Sequence, residues 1–309
     1  MPDISAPVAF EVIRRAPSER AAGLVCGMTG YRETAAGRFY QREAAPLRLP
    51  LIISLGSPFL IALGRDPTPA DRQPSFAAGL HAGPVHIESD GGAECVQVDF
   101  TPLGAYRFFG GAVVELAAHM VDIGDVLGHE GRRLHERLGA TPSWQRRFEL
   151  LEEFILRRSG RPPSSEVAFA YRKLALTGGG ARISSLAKEI GWSRKHLTTR
   201  FRSELGLAPK PFARMLRFHQ ACRLARSGTA QDWAGIAAES GYADQAHLVR
   251  EFMVMAGESP TSWARRLALT DDRLMRPEEV SADWQQIFKR PAPAPCKVGS
   301  TDRSGRSSR

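Results

Sequence analysis

Apolar positions in the first hundred residues fall in short runs, "VAFEVIRRA", "LRLPLIISLG", "PFLIALG" and "ECVQVDF", parted by Gly, Pro and Asp. Runs of this length at roughly ten-residue spacing predict an antiparallel sandwich or barrel. From Thr101 the period becomes helical. "TPLGAYRFFGG", "AVVELAAHMVDIGDVLG" and "HEGRRLHERLGA" read as short helices, and "SWQRRFELLEEFILRRSG" as a longer one. Phe148, Leu151 and Ile155 form one stripe on the last of these, a candidate dimerisation seam. The paired prolines of "SGRPPSS" (159–165) do not continue a helix and mark a linker. Residues 166–269 read as helical throughout, with Gly or Pro between helices. From Thr270 the apolar pattern fades, and "KRPAPAPCKVGSTDRSGRSSR" has the composition of a disordered tail.

The helical block contains the same unit twice. "SLAKEIGWSRKHLTTRFRSELGLAPKPFARML" aligns with "GIAAESGYADQAHLVREFMVMAGESPTSWARRL". Leu186, Ala187, Gly191 and Trp192 match Ile236, Ala237, Gly241 and Tyr242 at an offset of 50. After one inserted residue, Leu197, Phe201, Gly206, Pro209, Phe212 and Leu216 match Leu248, Phe252, Gly257, Pro260, Trp263 and Leu267 at an offset of 51. Each copy has the parts of a helix-turn-helix. A small Ala (187, 237) lets a second helix cross closely, and a Gly (191, 241) can take the positive φ of a tight turn. Ser193 or Asp244 then N-caps the second helix, Gly206 or Gly257 closes it, and Pro209 or Pro260 opens the next. "PFARMLRFHQACRLARSG" reads as one long helix joining the copies. The matched aromatics Trp192, Tyr242, Phe212 and Trp263 read as core rather than as stacking platforms, and Cys222 as a buried small hydrophobe.

Charge changes the picture. Residues 1–160 hold 17 Lys/Arg against 19 Asp/Glu, whereas residues 161–270 hold 17 against 8. Nearly all of the net +9 therefore sits in the block with the repeat, as a polyanionic partner requires. The chain has no run of 18 apolar residues and no apolar leader at its N-terminus, so the expectation is a cytoplasmic protein without a membrane partner. Its four cysteines (Cys26, Cys95, Cys222, Cys296) lack CxxC spacing and suit reduced, inert thiols.

With "RFHQACRLA" (217–225) and "IAAESGYADQAHLVREF…GESPTSW" (236–263) in view, residues 166–269 resemble the DNA-binding domain of the AraC/XylS family of bacterial transcription regulators. A second stretch, "CVQVDFTPLGAYRFFG" (95–110), is similar to one in some of its members. The resemblance implies an N-terminal sensing or dimerising domain ahead of two helix-turn-helix motifs. It favours activation, with RNA polymerase as a partner, a small-molecule effector and a homodimer. Two positions depart from the family: Thr199 stands where an Arg is common, and Met253 where a Lys is common.

The expected fold class is α+β, with an N-terminal β-rich cupin-like sensor domain followed by helices. An all-α C-terminal domain then carries two helix-turn-helix motifs joined by a long helix. The expected division is 1–142 sensor, 143–165 helix and linker, 166–269 DNA-binding domain and 270–309 tail. By helical geometry the groove-facing residues are Arg194, Lys195, Thr198, Thr199 and Arg202 in copy one, and Gln245, Ala246, His247 and Arg250 in copy two. Lys or Arg can donate to guanine, Gln to adenine, and Ala or a Thr methyl can meet a thymine methyl.

Competing readings are a cupin-type metal-dependent enzyme fused to a DNA-binding module, a repair methyltransferase with such a module, and a sequence-blind architectural protein. His81, His86 and Glu88 lie close in sequence, but their spacing is not the usual cupin His-x-His. The scattered cysteines lack the cluster that the methyltransferase needs, and no GxSxG, P-loop or GxGxxG is present. No catalytic residue, metal or cofactor is expected.

Overall fold

The computed structural model describes residues 10–34, 37–228 and 232–269. The expected tail lies outside the described residues. The chain opens with β1 (Phe10–Arg15), β2 (Val25–Glu33), β3 (Phe39–Glu43), β4 (Leu49–Ser54), β5 (Phe59–Leu63), β6 (Arg72–Gln73), β7 (Phe76–Ala78), β8 (Val85–Ser89) and β9 (Glu94–Phe100). Helices α1 (Pro102–Phe109) and α2 (Val113–Leu116), strand β10 (Met120–Asp122), and helices α3 (Ile123–Gly139) and α4 (Trp144–Arg158) complete this half.

The strands form two antiparallel sheets, ordered β1-β2-β9-β4-β7-β10 and β3-β8-β5-β6. Alternation along the strands of the first sheet explains its two buried faces. Tyr31, Ile52 and Cys95 point to the second sheet, where the Tyr31 and Phe59 rings lie 5.8 Å apart. Leu49, Leu51, Val96, Val98 and Phe100 point the other way, into a core with Phe108, Phe109, Phe148 and Phe154 of α1 and α4. Trp144 also lies flat against β2. A Cβ on Gly30 would come within 2.6 Å of its ring, so only glycine permits that approach.

Two expectations are corrected. "AVVELAAHMVDIGDVLG" is not one helix, because Ala118 turns to φ +58° and Met120–Asp122 pair with β7. The open edge of β7 outcompetes local helical periodicity, and the Asp122 carboxylate then accepts from Gly124 N to start α3. The end of that segment, Ile123 onward, joins the short helix expected as "HEGRRLHERLGA" to form α3, kinked at Gly128. Secondly, Phe148, Leu151 and Ile155 are no dimer seam: all three are buried in the chain's own core.

The C-terminal half is α5 (Ser165–Leu176), α6 (Ile183–Ile190), α7 (Arg194–Leu205), α8 (Pro209–Ser227), α9 (Trp233–Glu239), α10 (Gln245–Ala256) and α11 (Pro260–Leu269). Caps and turns follow the repeat. Gly191, Gly206, Gly241 and Gly257 all take positive φ, the Ser193 hydroxyl accepts from His196 N, and the Asp244 carboxylate accepts from His247 N. Phe201 packs on Phe212 at 5.7 Å, and their counterparts Phe252 and Trp263 meet at 5.6 Å. Truncating Phe201 or Phe252 to Ala would cost about 3–5 kcal/mol.

The halves are docked together. α7 packs on α1 and α2, close enough that a Cβ on Gly206 would lie 2.8 Å from the Val113 carbonyl oxygen. On the other side, Ala45 N donates to the Met255 carbonyl (2.8 Å), and His219 Nε2 donates to the Ala45 carbonyl (2.7 Å).

Candidate nucleic-acid interface

The second helix of each unit, α7 or α10, is 12 residues long, and the two begin 51 residues apart, at Arg194 and Gln245. Each is fixed from behind. Leu197, Phe201 and Leu205 of α7, and Leu248, Phe252 and Met255 of α10, are fully buried. Polar ties differ between the copies. Glu204 is buried on α7, where it accepts from Ser164 N (2.7 Å) and the Ser164 hydroxyl and pairs with Arg200 (2.7 Å). That carboxylate ties α7 to the start of α5. In the second copy the Arg214 guanidinium on α8 grips the Glu251 carboxylate on α10 through three contacts of 3.0–3.2 Å.

With the backs buried, the fronts are open. Lys195, Thr199 and Arg202 are exposed along one line of α7 at i, i+4, i+7, and Ala246, Arg250 and Met253 occupy the same line of α10. Arg194 and Gln245 are exposed at the helix starts. Thr198 is half-buried, and its hydroxyl donates to the Arg194 carbonyl (2.9 Å), which leaves mainly its methyl for a base edge. His247 is half-buried, edge-on to the Tyr242 ring at 5.2 Å. Its counterpart His196 stands edge-on to Trp192 at 4.5 Å, so the repeat extends to an aromatic–imidazole pair behind each helix start. Seven of the nine sequence-predicted groove residues are thus exposed, and Thr198 and His247 are half-buried.

Sequence reasoning missed the carboxylates that hold these helices, Glu204 and Glu251, since a charged residue on an amphipathic helix normally reads as solvated. It also omitted Met253 from the front line, although the 51-residue offset places it opposite Arg202. The core assignment of Phe212, Tyr242 and Trp263 holds, and Trp192 is partly buried against the same core.

A cavity of about 280 Å³ lies between the facing sides of the two sheets and helices α8 and α11. Its walls mix apolar side chains such as Phe59, Ile87 and Phe218 with cationic ones such as Arg14, Arg42 and Arg266. Cys222 faces it, and burial pushes its thiol up to about 12. The acidic residues Glu43 and Asp99 on its wall are both paired with Arg48, at 3.2 and 3.0 Å.

The residues weighed as a metal site take other partners. His86 Nδ1 contacts the Asp66 carboxylate (2.8 Å) and the Tyr40 hydroxyl (2.9 Å), Glu88 pairs with Arg38, and burial lowers the pKa of His81. Among the described residues no group of three His, Cys, Asp or Glu side chains is arranged to hold a metal ion, and no helix is long and apolar enough to cross a membrane.

Comparison with known proteins bears on the C-terminal block. The family model described as a helix-turn-helix domain matches residues 186–266. No curated protein matches the chain. Among solved structures, the C-terminal domain of AraT, a response regulator from Geobacillus stearothermophilus, is 24% identical, with 34% of this chain and 87% of that one covered at a TM-score of 0.32. ToxT from Vibrio cholerae O395 is 10% identical over 79% of this chain and 98% of its own, at a TM-score of 0.40. The AraC-like transcriptional activator CuxR is 14% identical over 74% and 91%, at 0.29. The matched segment spans both turns, with α7 and α10 inside it. Residues 186–266 are therefore a helix-turn-helix domain in which the unit occurs twice.

Proposed function

We propose that the chain is a sequence-specific transcription activator that seats α7 and α10 in successive major grooves of one promoter site and engages RNA polymerase from there. One observation carries the reading: two helices of equal length, rooted by equivalent aromatic cores, leave equivalent front lines exposed on either side of a single connecting helix. At 1.5 Å per residue α8 is about 28 Å long. With its flanking turns, such a strut suits the spacing of about 34–36 Å between major grooves on one side of B-DNA. Phosphate contacts supply most of the affinity, and the front-line residues supply the preference.

The two reading helices differ in sequence, so the site is asymmetric, with two base-specific blocks about 10 base pairs apart. Inserting about 5 base pairs between the blocks turns one to the far side of the duplex. Loss of tight binding is the expected result. Binding that survives the insertion would mean that only one copy reads DNA. Competition with random duplex tests the architectural alternative, against which a regulator keeps a preference of about a thousandfold or more.

Effector control is the second part of the proposal, supported by the cavity between the sheet and α8. A ligand there would touch both halves at once, and its mixed lining suits a small molecule with an apolar body and an anionic group. Such a molecule would bias how the halves dock, and through that the pose of the reading helices.

A further inference from the structure

We propose that Met253 is a specificity-determining residue that reads the 5-methyl group of a thymine at the outer end of the second block. The inference rests on the proposed entry of α10 into a major groove, and goes beyond it by naming an apolar contact where the first copy carries a cation. Three observations support it.

Met253 is 51% exposed on a helix whose back residues Leu248, Phe252 and Met255 are at 0%. It lies three residues beyond Arg250 and seven beyond Ala246, which sets all three on the line opposite the buried face. Its equivalent at the 51-residue offset is Arg202, exposed on the same line of α7. The front line of copy one is therefore Lys–Thr–Arg, and that of copy two is Ala–Arg–Met.

The chemistry follows from the base edges. In the major groove the apolar feature of a base edge is the thymine methyl, whereas cations seek guanine oxygen and nitrogen or phosphate. An unbranched, polarisable thioether side chain can follow a methyl without strict geometry, and it gains by leaving water. Copy two thus has one cation, Arg250, between two apolar groups, Ala246 and Met253. Its block should carry thymines on either side of the base pair that Arg250 meets. The more cationic front of copy one should read a block richer in guanine.

The test uses the full chain. Its preferred duplex is first selected from a random pool. Each thymine of the second block is then replaced in turn by deoxyuridine, which removes the methyl and nothing else. The expected result for the native protein is a position at the outer end of the block, separate from the one facing Ala246, at which replacement weakens binding about fourfold, the equivalent of one buried methyl. Met253→Ala should abolish that penalty while leaving substitutions in the first block as costly as before. Met253→Arg should also abolish it, and should steepen the salt dependence by about one released counterion.

Deoxyuridine penalties that are equal in native and Met253→Ala proteins would overturn the contact. So would a Met253→Ala protein that binds DNA normally but fails to activate transcription, since Met253 would then face a protein. A pool that yields no preferred sequence at all would overturn the regulator reading, and this inference with it.

Discussion

Arg214 and Glu251 lock α8 to α10, with the guanidinium Nε and Nη2 both within 3.2 Å of the carboxylate. The pair is uneven: the Arg214 side chain is 33% exposed and that of Glu251 only 10%. Removing one partner strands the other, and the stranded group suffers according to its burial. Arg214→Ala should therefore destabilise more than Glu251→Ala, by about 3 kcal/mol against about 1–2 kcal/mol, since a lone Arg214 can reach water. The double variant should cost less than the sum. Urea unfolding of the three proteins checks the order; equal losses would show that the pair contributes packing alone.

His219 sets a pH dependence on the docking of the two halves. Its Nε2 donates to the Ala45 carbonyl, and burial, with Arg48 and Arg226 nearby, pulls its pKa down to about 4. The unfolded chain takes up this proton near pH 6.5, and the folded chain only near pH 4. Stability from this group is thus complete above pH 6.5 and is lost as pH falls from 6.5 through 4, by about 1.4 kcal/mol per unit. His219→Gln keeps a donor for Ala45 without the titration. Melting temperatures at pH 7 and pH 5 should fall further for the native protein than for the variant, and equal falls would clear His219 of the effect.

Gly206 and Gly191 separate backbone strain from crowding. Both close a helix at φ near +80°, but a Cβ on Gly191 meets nothing, whereas one on Gly206 meets the Val113 carbonyl oxygen at 2.8 Å. Gly191→Ala should cost about 1 kcal/mol, the left-handed penalty alone. Gly206→Ala should cost about 2–4 kcal/mol, because α7 must also move off α2. Thermal denaturation of both variants measures the difference, and equal costs would mean that the contact between the halves yields easily.

Lys195 and Arg250 should act as base readers. Replacing either by Ala is expected to relax preference at one or two base pairs and to cost about 1–3 kcal/mol on the preferred site. Arg223, which bonds Gln220 on the exposed side of α8, should be nearly silent as Ala. Titrations against preferred and random duplex decide the matter: losses that are equal on both would make Lys195 and Arg250 phosphate contacts.

Much of the candidate interface was legible in the chain because a helix-turn-helix is built from local rules. Cap residues, positive-φ glycines and i, i+4 apolar spacing act within a few residues of one another, so Ser193, Asp244, Gly191, Gly241 and the exposed fronts of α7 and α10 could be assigned from sequence. The repeat strengthened each assignment by making it twice. The tertiary structure alone decided what depends on distant partners. Met120–Asp122 left a helical pattern because the edge of β7 offered unpaired backbone groups more than forty residues away. The stripe of Phe148, Leu151 and Ile155 could equally have met a second chain, and the chain's own sheet took it. Glu204, Glu251 and His219 look like surface residues by type, yet each is held inside by a partner that no local pattern announces. Periodicity says which side of a helix is buried; only the folded chain says against what.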